Sequence, residues 1–401
     1  MDQLMHGFPP APDHQVTLTN WRSPPYNRWS FQHVRELVPT AEIANFPDDV
    51  WDLPVSPTDL SGLLPDPDNA PQLSFSQFLT ETGTDGLVIL HRGRIVFEHY
   101  AHGMTSDTPH ILMSVSKSLL ALLAGILTGQ GHLAPGRLVT DFVPELGGTA
   151  YCGATVRDLL DMRAGVQFDE DYLATSGPII EYRRATNWNP PSPGDTPSDL
   201  RSWFCRLTET QGVHGGMFHY ISPNTDLLGW VIERATGQRF ADLLSDLLWK
   251  PMGAMRSACI TVDRLGAPRC AGGISASVRD LARVGQLIVQ AGRRGDRQIV
   301  PGDWISDIMR NGDRAAWEAG RFAACFPGLP IAYRSQWYSV QEETPLLFGF
   351  GIHGQHLFVD PQCELVISKV SSQALPLDLP LIDLTMRAVS RIRRFFRESS
   401  H

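Results

Sequence analysis

Ile111-Leu112-Met113-Ser114-Val115-Ser116-Lys117-Ser118-Leu119-Leu120-Ala121-Leu122-Leu123-Ala124 is the stretch on which the reading of this chain turns. From Lys117 to about Thr128 it is apolar nearly all round, the pattern of a helix buried on every side, and Gly129 and Gly131 stop it. A serine and a lysine three residues apart stand at its mouth. Positions i and i+3 share a helix face, so the amine can reach the hydroxyl. The helix N-terminus offers unpaired N–H groups and a partial positive charge, which suit an oxyanion. The apolar run behind Lys117 desolvates its amine and lowers its pKa. Ser114 is therefore a candidate nucleophile and Lys117 a candidate base. The plainer alternative is that Ser114 only caps the helix and Lys117 points into solvent.

Outward from this helix, Leu87–Leu90 and Ile95–Tyr100 read as a β-hairpin around Arg92-Gly93-Arg94. The first part of the chain, to about Asp68, is rich in Pro and aromatic residues and reads as irregular structure wrapped on the surface. From Thr155 to about Leu265 strand signals fade and helix signals dominate. Thr155-Val156-Arg157-Asp158 has the form of a capping box, with Asp in place of Glu or Gln. Thr225–Thr236 is an amphipathic helix ending at Gly237. Residues 173–202 hold many Pro, Ser, Asn and Asp and read as a long loop, a feature that is usually functional. Ser277-Val278-Arg279-Asp280 caps a helix over Leu281–Gln290. Strand-like runs follow at Tyr333–Val340, Leu346–Ile352, His356–Val359 and Leu365–Val370, then a terminal helix at Leu381–Phe396. These elements predict an α+β fold. One antiparallel sheet, built from both ends of the chain, is flanked by helices and carries an all-helical insertion. The expected division is a wrapping segment over 1–70, an α/β domain over 71–150 and 266–401, and a helical domain over 151–265, with the site in the cleft between the last two.

The composition narrows the function classes. The 401 residues are 42% hydrophobic and 19% charged, enough for a large core and too apolar for long disorder. A net charge of -9 offers no basic patch to nucleic acid or to an anionic membrane. The start Met1-Asp2-Gln3-Leu4-Met5-His6 lacks the basic and apolar regions of an export signal, so a cytoplasmic protein is expected. The six cysteines are scattered, and buried reduced thiols are expected. Only Lys117, Lys250 and Lys369 are lysines; every other cationic side chain is arginine. Lysine can shed its proton when desolvated and arginine cannot, which points to Lys117 as a residue needed neutral.

Tyr220-Ile221-Ser222-Pro223-Asn224 lies on a loop before a helix, after Gly215-Gly216 and before Leu227-Leu228-Gly229. Tyr220 can face Lys117 across the cleft and share its proton work; a lone tyrosine in a core with a satisfied hydroxyl is the alternative. His353-Gly354-Gln355-His356 lacks a third ligand at metal spacing, so no metal and no cofactor is expected. Glu170 and Asp171 read as a solvated turn.

Taken together, Ser-x-x-Lys, the Tyr220 motif, and Gly272-Gly273-Ile274-Ser275-Ala276-Ser277 leading into Asp280-Leu281-Ala282-Arg283 resemble the serine β-lactamase, penicillin-binding protein and family VIII carboxylesterase superfamily. Trp21-Arg22-Ser23-Pro24-Pro25-Tyr26-Asn27-Arg28-Trp29-Ser30-Phe31, Ile111–Leu119, Glu170-Asp171-Tyr172 and Gly351-Ile352-His353-Gly354-Gln355 carry a narrower resemblance, to the 6-aminohexanoate-dimer hydrolases. The resemblance implies a β-lactamase-like fold and a serine hydrolase that cleaves a small amide or ester through an acyl-enzyme. Ser114 is implied as nucleophile, with Lys117 and Tyr220 as its partners. The Ser114 N–H and a second N–H, at Ile352 or in a shifted register at Gln355, form the oxyanion hole. Tyr172 and His353 are implied as substrate contacts, and Trp188 as a residue on a mobile lid.

Four departures bear on substrate choice. Ser222 stands where many relatives have the Asn of Tyr-x-Asn, and no lysine precedes a Thr-Gly near Ile352. Arg183 falls at the place of an acidic contact for a substrate ammonium, with Glu181 two residues away. Ala271 stands at the place of an Asn. A short-chain carboxylesterase with little amidase activity is the alternative within the fold, and a ligand-binding relative without catalysis is the alternative outside it. The expected partner is a small molecule, and the sequence leaves a homodimer open.

Overall fold

The fold is that of a computed structural model, which describes residues 3–63, 72–192, 194 and 197–398. The end of the expected wrapping segment, residues 64–70, and positions 193, 195 and 196 of the expected long loop lie outside the described residues.

Among the described residues, seven strands form the main sheet. Their order is Arg94–Tyr100, Thr84–His91, Leu365–Ser371, Gln355–Asp360, Leu346–Gly351, Trp337–Val340 and Ile331–Arg334. Every neighbouring pair is antiparallel, so both ends of the chain meet in one sheet. The first hairpin turns at Arg92 (φ 52°) and Gly93 (φ 72°), the two left-handed residues that match strand twist.

Alternation along the strands divides the core. Val366 and Val370 face one layer with the buried helix Val115–Gly129 and the helix Val278–Val289. Leu365 and Ile367 face the other, with the terminal helix Leu379–Glu398. All of Val115 to Leu127 is buried, and each fully buried leucine there contributes about 1.5–3 kcal/mol relative to exposure. The helix lies so close to strand Leu346–Gly351 that a Cβ at Gly349 would stand 2.9 Å from Ser118 Oγ. The result is one antiparallel sheet with covering helices, the architecture that the sequence predicts. Among the described residues, no helix is long and apolar enough to cross a membrane.

Four differences from the sequence reading are physical. Tyr333–Val340 is two strands, because Ser335 (φ 45°) and Gln336 (φ 62°) form a tight turn without glycine. The turn is held from outside: Ser335 N–H donates to Asp161 (2.9 Å) and the Gln336 amide to Leu159 and Leu160 carbonyls. The stretch 173–202 contains two helices, Pro178–Ala185 and Leu200–Phe204; Pro178 stands in the first turn of one and Asp199 caps the other. A second, four-stranded sheet orders Thr40–Ile43, Ala258–Thr261, Ile274–Ala276 and His110–Ile111. Finally, only Cys259 and Cys270 are buried; Cys152 and Cys205 are exposed.

Candidate active site

The small sheet places the serine. His110–Ile111 pairs with Ile274–Ala276, and Leu112 N–H donates to the Ile274 carbonyl at 2.8 Å. The chain then turns through Met113, held at φ 45°, a strained conformation for a non-glycine residue. Ser114 follows at the head of the buried helix. Its side chain makes no capping bond, so the hydroxyl is left for another use. Strand Leu346–Gly351 ends beside it: a Cβ on Gly351 would come within 3.0 Å of Ser114 N and 2.9 Å of Leu112 O. Only glycine permits this approach, and it brings Ile352 to the pocket with Ser114. Gln355 pairs with Gly351 in the sheet, and its side chain holds the intervening turn through the Ile352 and His353 carbonyls.

The Lys117 amine is buried and has three acceptors: Ser114 Oγ at 2.8 Å, Ser222 Oγ at 3.1 Å and the Ala271 carbonyl at 2.7 Å. Burial pulls its pKa down to about 7; Glu170 and Asp226 oppose that fall and Arg269 adds to it. Tyr220 faces both partners. The amine lies 4.9 Å from its ring centroid, and its phenol faces the Ser114 hydroxyl. Burial and then Glu170 push that phenol well above its usual range, so Tyr220 stands as a neutral proton donor.

Glu170, read from sequence as part of a solvated turn, instead points into this site. It accepts from Ser222 Oγ at 2.5 Å, from the Ser222 N–H, and from the Tyr172 hydroxyl at 3.0 Å. The helix Ser222–Thr236 thus presents its first N–H to a carboxylate, a favourable dipole arrangement. Ser222, in the place of an asparagine, bridges Glu170 to the lysine. Asp226, one turn on, is buried beside Arg269; it also accepts the Tyr182 hydroxyl (2.5 Å) and the Ala271 N–H (2.7 Å). Ala271 therefore reaches the site through its backbone, fixed on one side by Asp226 and holding Lys117 on the other.

Two cavities meet at Glu170 and Tyr172, which line both. The larger, about 500 Å³, has Tyr220, Phe218 and Phe322 in its wall. The smaller, about 30 Å³, contains Ser114, Ile352, Trp188, Arg183 and Ala271. Arg183 donates to the Tyr172 carbonyl at 3.0 Å. Trp188 is pinned, its indole N–H on Thr261 Oγ1 at 3.0 Å and its ring edge-to-face with Trp21 at 5.2 Å. His353 is not brought to either cavity. It is buried against Phe31, with Nδ1 on the Gln373 carbonyl at 2.8 Å, and burial holds its pKa down to about 4. Arg22, Glu170, Asp226 and Arg269 are brought to the site by the fold and not by any local pattern. Two of them still lie in stretches that carry the resemblance, Arg22 in Trp21–Phe31 and Glu170 in Glu170-Asp171-Tyr172.

The β-lactamase family model matches residues 74–388. The 6-aminohexanoate-dimer hydrolase of Paenarthrobacter ureafaciens is 36% identical over 366 residues, covering 91% of this chain and 90% of that protein. A solved Bacillus anthracis structure assigned to the same name superposes with a TM-score of 0.87 at 25% identity, over 97% of this chain and 99% of that one. The fold also extends to EstCE1, a hydrolase with promiscuous acyltransferase activity, at a TM-score of 0.60 and 17% identity over 78% of this chain and 96% of that one. The chain belongs to the β-lactamase family of hydrolases and resembles its 6-aminohexanoate-dimer hydrolases.

Proposed function

We propose that this protein hydrolyses a small ester or amide through an acyl-enzyme on Ser114. The contact that carries the reading is Ser114 Oγ to Lys117 Nζ, 2.8 Å, at a buried amine whose pKa is drawn down to about 7. The neutral amine takes the Ser114 proton as Oγ bonds to the substrate carbonyl carbon. The Ser114 and Ile352 N–H groups receive the oxyanion. Collapse of the tetrahedral intermediate breaks the bond to the leaving oxygen or nitrogen. That atom takes a proton from Tyr220, which is replenished from the Lys117 ammonium. Water then attacks the acyl carbon by the same route in reverse and frees Ser114. Tyr220 lines the large cavity and Ser114 the small one, so the leaving group departs into the former and the acyl chain occupies the latter.

Stopped-flow mixing with p-nitrophenyl acetate tests the acyl-enzyme. A burst of about one p-nitrophenol per chain, followed by slower turnover, is the expected record; release of p-nitrophenol without acylation of the chain would contradict it.

The pH profile tests the base. Activity needs Lys117 neutral, so kcat/KM is expected to rise with pH through about 7. Glu170 raises that pKa; Glu170→Gln removes its charge while keeping the shape, and the limb should move to lower pH. An unmoved or upward-moving limb would show that Glu170 is not coupled to the titrating group.

A further inference from the structure

We infer that the small cavity is an anion site and that the substrate's acyl chain ends in a carboxylate held by Arg22 and Arg183. The inference rests on the proposed hydrolase reading, which puts the acyl chain in that cavity. Three arginines from separate parts of the chain line it: Arg22, Arg183 and Arg269. Arg269 is neutralised by Asp226. No carboxylate among the described residues pairs with Arg22 or Arg183. Arg22 has Asn189 as a neutral partner, and Arg183 has the Tyr172 carbonyl. Glu170 shares the cavity wall, hydrogen-bonded by Ser222 and Tyr172; with Asp226 set against Arg269, Arg22 and Arg183 outnumber that one carboxylate and the wall keeps a positive excess.

Arg22 Nε and Arg269 Nε are buried donors with no acceptor among the described residues. Buried polar groups without partners are costly, so these two ask for an acceptor from outside the chain. Burial, then Arg183 and Arg269, draw the Arg22 pKa down to about 9, as crowded like charges require. A planar guanidinium pair matches a carboxylate, with two parallel N–H···O bonds available to each. The same charges repel an ammonium, so ω-amino acyl chains are disfavoured. The fitting substrate class is the half-ester or half-amide of a short dicarboxylic acid.

The test uses the full chain and four p-nitrophenol or carboxyphenol esters of matched size. They are p-nitrophenyl hydrogen succinate (anionic acyl), p-nitrophenyl butyrate (neutral), p-nitrophenyl 4-aminobutyrate (cationic), and a butyrate ester of 4-hydroxybenzoate, which carries its carboxylate on the leaving group. In kcat/KM, the hydrogen succinate should exceed the butyrate by roughly tenfold or more, and the butyrate should exceed the 4-aminobutyrate. Arg22→Gln and Arg183→Gln should each lower the succinate-to-butyrate ratio by roughly 10- to 100-fold. A ratio is read, so loss of folded protein does not imitate the effect. Arg183→Asp should shift preference toward the 4-aminobutyrate. Equal rates on the three acyl esters, ratios unmoved by the variants, or preference for the hydroxybenzoate ester would overturn the assignment. Calorimetric titration with glutarate separates this from the hydrolase reading. Arg22-dependent glutarate binding without turnover of any ester would remove the hydrolase and keep the anion site. Turnover of neutral esters with neither charge preference nor glutarate binding would do the reverse.

Discussion

Ser114→Ala is expected to lower kcat by roughly 10⁴-fold or more, because loss of a nucleophile leaves only binding and oxyanion stabilisation. The variant should fold as the parent does. The Ser114 side chain caps no helix N–H, and Lys117 keeps Ser222 and the Ala271 carbonyl as acceptors. An unchanged melting temperature beside a collapsed kcat separates a chemical role from the capping role that a serine at a helix mouth would otherwise have. A variant retaining a tenth of the parent rate would mean that Ser114 is not the nucleophile.

Lys117→Arg is expected to be nearly as damaging as Lys117→Ala, each lowering kcat by roughly 10²–10⁴-fold. The amine sits among neutral acceptors, and the carboxylate that acts on it most strongly, Glu170, is reached through Ser222. In that setting an amine can lose its proton, whereas a guanidinium stays charged. Measured kcat values within about tenfold of each other for the two variants would support the role of base. Appreciable turnover by the arginine variant would leave Lys117 as a cation only and pass the base role to Tyr220.

Much of this was legible in the sequence because the deciding elements are long and locally consistent. The all-apolar helix, the Arg92-Gly93 hairpin and the Thr155 capping box each announce themselves within a few residues, and the capping box forms as read. What escaped depends on distant partners. The small sheet has strands of two to four residues, too short for a period to appear. The Ser335-Gln336 turn has no glycine, and its left-handed residues are held by Asp161, Leu159 and Leu160 from another part of the chain.

The candidate site divides the same way. Ser114 and Lys117 share one helix turn, so spacing alone brings them together. Nothing local says which of Asp169, Glu170 and Asp171 turns inward, and Ser222 becomes the link only once its helix has docked. The rarity of lysine was a partial guide. Lys117 is buried, but so is Lys369, drawn to about 7 by burial and bonded to Ser371 within the sheet. The sequence shows Ala271 only as a small apolar side chain, whereas its carbonyl is what meets the amine. Arg22 and Arg183 lie far apart in sequence and share a pocket where Trp21 packs on Trp188 and Arg22 reaches Asn189.

Labelling with a fluorophosphonate, followed by peptide mass mapping, tests the central claim most directly. The account predicts one adduct per chain, located on Ser114, lost in Ser114→Ala and strongly slowed in Lys117→Ala. An adduct on any other residue, or full ester hydrolysis by a chain that the probe does not label, would contradict it.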